Sequence, residues 1–293
     1  MARNQGVYFL GRVQKGGELD DETLMNSILN PVSIRTRNNA WTFIESQKFD
    51  DFIYSKIVKY KPSGEVYVID EDDKTEEKLI EPNLRVAVSP FIYIPAYSGI
   101  CFLRISNHIY ESNFNKRFSK IIKDTNDDFF VECDVEMVTD LKTFAKRLID
   151  LRTIERIFAK VNPPNPLYGR LWESLKDFLE RRRTNQLSID EKSAGNSSLN
   201  TNLKDHLNGI LNQSEEEPYQ PDGVDISDAA ILMAADGYGN GKVEGTDRDK
   251  FVVIRTSETI KNFKFDREPE PEELYRLALE EFIQINDERH LEH

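Results

Sequence analysis

The sequence predicts an α+β fold with mixed β-sheets and packed helices. Two apolar patterns alternate along its 293 residues. Short runs rich in β-branched and aromatic residues are typical of strands, and stretches with an apolar residue every three or four positions are typical of helices. Hydrophobic residues make up 39% of the chain and aromatics 10%, which is enough for a folded core. The order of elements predicts an N-terminal β-rich part (1–84), a β/α core (85–166), a C-terminal α+β part (167–290) and a purification-tag remnant (291–293).

The N-terminal part is predicted mainly as strands. A short helix at 20–29 ends before Pro31. Residues 61–64, Lys-Pro-Ser-Gly between two β-rich runs, predict a hairpin turn. The acidic stretch 70–77 lacks EF-hand spacing, so we expect a solvated acidic loop there. The predicted strands are 7–10, 41–45, 52–60 and 65–70.

The core is predicted to alternate strands and helices. Its strands are 85–89, 91–95, 99–105, 128–137 and 153–161, and its helices are 112–123 and 139–149. In the strand 128–137, Phe129, Val131, Cys133 and Val135 share one side. We expect one mixed, ferredoxin-like sheet over 85–161 with both helices on the same face. Asn-Pro-Pro-Asn-Pro at 162–166 ends the core, because proline continues neither element.

The C-terminal part is predicted to mix helices and short strands. The charged, proline-containing segment 214–223 is predicted as a loop. The predicted helices are 167–183, 199–211, 228–235 and 271–285, and the predicted strands are 187–190, 243–245 and 251–256.

Composition and missing motifs exclude several classes of function. A net charge of −13 does not steer the whole protein toward nucleic acid or anionic membranes. No apolar run reaches membrane-spanning length and no signal peptide is evident, so we expect a cytoplasmic protein without membrane contact. Cys101 and Cys133 lie in apolar runs and are predicted to be buried and reduced.

No catalytic residue, cofactor or metal site is predicted. The glycine-rich stretch 235–245 follows a helix instead of opening one, which argues against a phosphate-binding loop. Motifs of serine hydrolases and zinc sites are missing. Glu132, Asp134 and Glu136 alternate along one strand face, which leaves a metal-dependent nuclease open as an alternative.

One basic segment stands out in this acidic chain. Residues 141–183 hold eleven Lys and Arg against five acids, a local charge of +6, and the helix 112–123 adds four more cations. If the two regions share a face, they form a phosphate-binding surface; the alternative is that they pair with the protein's own acids. The predicted nucleic-acid contacts are Lys116, Arg117, Lys120, Lys123, Lys176, Arg181, Arg182 and Arg183.

The middle of the chain resembles a known group of proteins. Residues 88–102 (VSPFIYIPAYSGICF), 129–137 (FFVECDVEM) and 237–245 (GYGNGKVEG) are similar to an uncharacterised bacterial family found near phage-defence and mobile-element genes. The order of elements over 85–256 is also similar to that of the Rex exclusion proteins of temperate phages, which bind DNA as dimers. The resemblance implies an antiviral-defence protein that acts by binding DNA or RNA as a homodimer, and it supplies no catalytic residues. A protein-binding sensor or toxin-neutralising partner from the same operon is the other open alternative.

Overall fold

An eight-stranded antiparallel sheet is the centre of the computed structural model, which describes residues 4–127, 131–163, 167–195, 197–214, 219–221, 223–248 and 250–292. The helices are α1 (Asp21–Leu29), α2 (Glu111–Thr125), α3 (Leu141–Ile149), α4 (Glu173–Arg182), α5 (Leu203–Asn212), α6 (Ile226–Met233) and α7 (Pro271–Arg289). The strands are β1 (Gln5–Gly17), β2 (Ile34–Arg35), β3 (Ala40–Lys48), β4 (Ile53–Asp70), β5 (Thr75–Ile94), β6 (Gly99–Leu103), β7 (Val131–Met137), β8 (Thr153–Val161), β9 (Tyr168–Gly169), β10 (Leu187–Lys192), β11 (Gly239–Asp247), β12 (Lys250–Arg255), β13 (Asn262–Asp266) and β14 (Leu291–Glu292).

The strands form two main sheets and one small pair. The large sheet has the order β13-β1-β6-β5-β4-β3-β2, and β7 pairs with the C-terminal half of β1. A four-stranded sheet has the order β10-β8-β11-β12, and β14 pairs with β9. The predicted α+β class is confirmed. Mixed sheets were expected, but the described strand pairs are antiparallel. The reason is that short connections join neighbouring strands such as β3, β4 and β5.

The core does not form the single sheet that the sequence predicts. The predicted helices 112–123 and 139–149 are confirmed as α2 and α3, but β8 lies in the four-stranded sheet. The two helices also pack on opposite faces of the large sheet. Phe114 of α2 stacks on Phe102 at 3.8 Å, whereas Phe144 of α3 belongs to the apolar cluster that contains Cys101. Because neighbouring residues of a strand point to opposite faces of the sheet, Phe102 packs in the layer of α2 and Cys101 packs in the layer of α3.

The predicted turn at 61–64 is wrong, because β4 continues through it to Asp70. The chain turns instead at residues 71–74, and β5 returns from Thr75 to Ile94. The acidic tip is exposed, as predicted. Pro62 is compatible with a strand here, because the neighbouring strand β3 pairs with β4 only as far as Tyr60. The strand β5 therefore crosses the expected boundary between residues 84 and 85.

The helix predicted at 167–183 begins later, at Glu173. Residues 168–169 pair with β14, and the chain then makes a short turn that buries Trp172. Leu291, which was expected to belong to a tag, is also buried in this pair. The expected strand residues 128–130, residues 164–166 of the predicted break, half of the loop 214–223 and His293 lie outside the described residues.

A buried polar network joins the two main sheets to α7. It centres on Asp236, in a π-helical turn (234–238) where a simple glycine cap was expected. The carboxylate of Asp236 accepts hydrogen bonds from Arg289 Nη1 at 2.7 Å and from Trp172 Nε1 at 2.9 Å. Arg12 Nε of β1 donates to the Asp236 carbonyl at 2.8 Å. These contacts connect residues from both ends of the chain.

Two smaller expectations can be compared with the structure. Cys101 and Cys133 are buried and free of disulfides, as predicted. Among the described residues, no helix is long and apolar enough to cross a membrane.

Candidate functional site

The predicted basic helix α2 packs beside a free edge of β7. Its apolar side chains, including Phe114 and Phe118, are buried against the large sheet, and this leaves the lysines at the flank. Asn115 Nδ2 donates to the Val135 carbonyl at 2.8 Å, which fixes the helix along the strand. Tyr110 N donates to Asn113 Oδ1 at 2.9 Å and caps the first turn, so α2 begins slightly before the predicted residue 112.

Two adjoining cavities flank β7. The first has a volume of about 420 Å³ and lies between α2 and β7; the second, of about 560 Å³, continues past the end of β1. They share Lys123 and Asp134, so we treat them as one site and name it the β7 groove. Its lining residues are Gln14, Lys15, Gly16, Gly17, Asn115, Lys116, Ser119, Lys120, Lys123, Asp124, Glu132, Asp134, Val135, Glu136, Asn162, Pro163, Asn185 and Gln186.

The β7 groove brings together segments far apart in sequence. Asn185 and Gln186 follow closely after Arg183, the left-handed residue that ends α4. Gln186 Nε2 donates to Asn162 Oδ1 at 3.0 Å, which holds this segment against the end of β8. Lys123 of α2 lines the same cavity. The end of α4 and the lysine flank of α2 therefore border one groove.

Positive and negative side chains both line the groove. Lys15 is paired with Asp21 at 2.7 Å, and Lys120 with Asp124 at 2.8 Å. Lys116 and Lys123 form no ion pair within the described residues, which leaves both ammonium groups available for a ligand. The groove is thus a site of mixed charge and not a purely basic patch.

The carboxylates of β7 face the space between the two main sheets. Glu132, Asp134 and Glu136 lie opposite Gly16, Gln14 and Arg12 of β1 in the register. Glu136 accepts a hydrogen bond from Asn240 Nδ2 at 3.2 Å. Burial raises the pKa of the Glu136 carboxyl group, because desolvation favours its neutral form.

These acids do not make a metal centre. Alternate residues of one strand are spaced by about 7 Å, too far apart for three of them to ligate one ion without other donors. In the described part of the chain, no group of three or more His, Cys, Asp or Glu could hold a metal ion. The described geometry therefore gives no support to the metal-dependent nuclease.

The other predicted contact residues lie outside the groove lining. Arg117 lies on another flank of α2, with its guanidinium 5.8 Å from the centre of the Trp41 ring. Lys176 approaches Glu180 at 3.7 Å, and Arg182 lies over the Phe178 ring at 5.5 Å. Arg181, Arg182 and Arg183 are exposed.

Sequence reasoning missed the polar residues at the ends of β1, β8 and α4. Gln14, Asn162, Asn185 and Gln186 line the groove, but no local pattern marks them. The one available signal is Gly16: a Cβ there would lie 3.0 Å from a Glu132 carboxylate oxygen, so glycine lets Glu132 lie over β1. A paired glycine at the end of a strand is too common to identify a site by itself.

Comparison with known protein families identifies the family of this chain. A family model described as "Domain of unknown function (DUF4747)" matches residues 25–217, about two thirds of the chain. The matched range includes α2, β7 and α4, and thus most of the groove. No curated protein matches the sequence.

Proposed function

The chain belongs to the DUF4747 family, and we propose that it is a non-catalytic protein that binds nucleic acid through the β7 groove and its basic borders. One observation carries the proposal. Lys123 and the segment directly after Arg183, some sixty residues apart in sequence, line the same cavity. This juxtaposition supports a phosphate-binding surface formed by the lysine flank of α2 and the end of α4.

The lysine flank supplies the contacts to phosphate. Lys116 and Lys120 are exposed on α2, and Lys123 is half-buried at the junction of the two cavities. Lysines at positions 116, 120 and 123 lie on one side of a helix, about one turn apart. Arg181, Arg182 and Arg183 extend the positive charge at the end of α4. A phosphate backbone following these side chains would release counterions on binding.

The opposite side of the groove suits base edges better than phosphate. Glu132 and Asp134 repel phosphate but accept hydrogen bonds from exocyclic amino groups, as carboxylates do with cytosine. Asn162, Asn185 and Gln186 add amide donors and acceptors. A bound nucleic-acid strand would therefore lie with its phosphate backbone toward α2 and its bases toward β7. Because the bases must be unpaired to reach this side, the geometry favours single-stranded nucleic acid.

The proposal is tested by binding in a salt series, with fluorescently labelled single-stranded and duplex DNA and RNA. We expect single strands to bind more tightly, and Lys116→Ala/Lys123→Ala to weaken their binding and flatten the slope of log K against log salt by about 1.4. The matched control is Lys142→Ala/Lys146→Ala, which removes two exposed lysines from α3 on the other face of the large sheet. No binding by the wild type at low salt, or equal losses in both variants, would refute the proposal.

The wider expectations remain part of this proposal. The resemblance to a phage-defence family supports a role in bacterial antiviral defence, in the cytoplasm and with DNA or RNA as the partner. A protein partner from the same operon is the second candidate, and the mixed charge of the β7 groove also suits a polar protein surface. Plating phage on bacteria that express the wild type or Lys116→Ala/Lys123→Ala tests whether the β7 groove is needed for defence. Protection that is lost in this variant supports the groove; equal protection assigns it to another surface.

A further inference from the structure

The long hairpin of β4 and β5 ends in an arm that the rest of the fold does not use. We name residues 61–84 the arm. Within the described residues, β3 pairs with β4 only as far as Tyr60, and β6 pairs with β5 only over 91–94. Both edges of the arm are therefore unpaired. A two-stranded ribbon is at best marginally stable alone in water, so this one gains from a partner.

One exposed face of the arm combines three large apolar side chains with Glu65, Lys78 and Glu76. Tyr67, Ile69 and Ile80 have exposed fractions of 57%, 71% and 69%. The register pairs Ile80 with Glu65 and Tyr67 with Lys78, which puts all three apolar side chains on one face. Residues two apart along β4 point to the same face, so Tyr67 and Ile69 of the arm lie on the same side of the strand as Ile57. Within the large sheet, Ile57 belongs to the apolar cluster that contains the buried side chains of α2.

Charge is distributed unevenly along the arm. Six acids surround the tip, accompanied by a single lysine: Asp70, Glu71, Asp72, Asp73, Glu76 and Glu77. The base of the arm is positive. Lys61 is exposed there on the face of Tyr67, and Lys59 and Arg117 both lie over the Trp41 ring, at 5.6 and 5.8 Å. The tip acids and these base cations form no ion pair with each other in the described chain.

We propose that this arm is a dimerisation element that binds the arm of a second copy of this chain. The two arms pack antiparallel through the faces that carry Tyr67, Ile69 and Ile80, about a two-fold axis near Glu65 and Ile80. In this arrangement the acidic tip of each copy lies against the basic base of the other. From Lys61 to Asp70 the arm spans about 30 Å, and one surface carries both charges, as an isologous contact requires.

Two features favour this occupant over an added strand from an unrelated protein. Pro62 and Pro82 lie in the base half of the arm, and proline disfavours edge pairing because it has no backbone N–H. The basic groups that complement the acidic tip are those at the base of the arm. The distance between tip and base is the length of the arm, so the tip of one copy reaches the base of an antiparallel second copy. The dimer is independent of the β7 groove, since Arg117 and Lys116 lie on different flanks of α2.

The first test measures the mass of the whole protein by sedimentation equilibrium. We expect a mass of twice 34.0 kDa at low ionic strength and dissociation at high salt, because the tip-to-base ion pairs are exposed and screened. Tyr67→Thr/Ile69→Thr/Ile80→Thr should be monomeric and folded, since these side chains are exposed and threonine suits strands. The control is Phe251→Thr, which removes an equally exposed apolar side chain (63%) from β12.

A second test asks whether tip and base meet between copies. Protein carrying Asp72→Cys is mixed with protein carrying Lys61→Cys under mild oxidation; both native cysteines are buried. We expect a covalent dimer mainly in the mixture, and its loss when the Tyr67, Ile69 and Ile80 substitutions are added. A monomeric wild type at low salt, a dimer that survives these substitutions, or the same loss from Phe251→Thr would overturn the proposal.

Discussion

Replacing Asp236 with alanine should cost more stability than any surface charge in this protein. Asp236 is 6% exposed, and Arg289, its ion-pair partner at 2.7 Å, is 5% exposed. Asp236→Ala leaves the Arg289 guanidinium buried with only carbonyl acceptors, at Ala235 and Thr139. It also removes the acceptor of the Trp172 indole N–H.

The expected loss is about 4 kcal/mol. Breaking a buried ion pair by removing one partner costs about 3–5 kcal/mol, and the unsatisfied indole N–H is a smaller, overlapping contribution. Domains of ordinary stability have about 5–15 kcal/mol in total, so this is a large part of it. Asp236→Asn keeps a carbonyl acceptor but not the charge, and should cost about 2 kcal/mol.

Urea unfolding followed by circular dichroism and by tryptophan fluorescence measures this loss, because Trp172 reports directly on the network. The matched control is Asp190→Ala, which breaks the exposed pair with Arg156 at 2.6 Å and should cost much less, because solvent screens an exposed pair. Equal losses in Asp236→Ala and Asp190→Ala would show that the network does not hold the two sheets and α7 together.

Three further outcomes are expected. Gly239→Ala should destabilise by at least about 1–3 kcal/mol in urea unfolding, since Gly239 has φ +156° and a Cβ would lie 2.1 Å from the Lys160 carbonyl oxygen; Gly223→Ala, in open space, should be near neutral. Burial raises the pKa of the Cys133 thiol to about 12, so maleimide should label the native protein slowly and the urea-unfolded protein fast; rapid native labelling would contradict this. Burial also raises the pKa of the Glu136 carboxyl group above its value in the unfolded chain, so the stability of the protein falls as the pH rises from the unfolded pKa to the folded one. In thermal melts, Glu136→Gln should therefore be more stable than the wild type at neutral pH and similar to it at about pH 4. The opposite order would contradict this prediction.

Local patterns in the sequence determined a large part of this protein. The spacing of Phe114, Phe118, Ile121 and Ile122 predicts α2 and its buried face, and both are confirmed. The alternation after residue 130 predicts β7 with Cys133 inward. These features depend on the period of side-chain direction in a single element, which neighbouring residues set by themselves. The α+β class follows from the same periods.

Only the tertiary structure decided which elements meet. Alternation shows that Cys101 and Phe102 point in opposite directions, but not that α3 packs on one side and α2 on the other. Proline and glycine at 61–64 favour a turn locally, yet pairing with β5 keeps the strand extended. The β7 groove likewise exists because β1, α2 and the end of α4 converge, and contacts between residues so distant leave no mark in local sequence. Burial and pairing partners are properties of the whole chain, so the pattern of one segment cannot specify them.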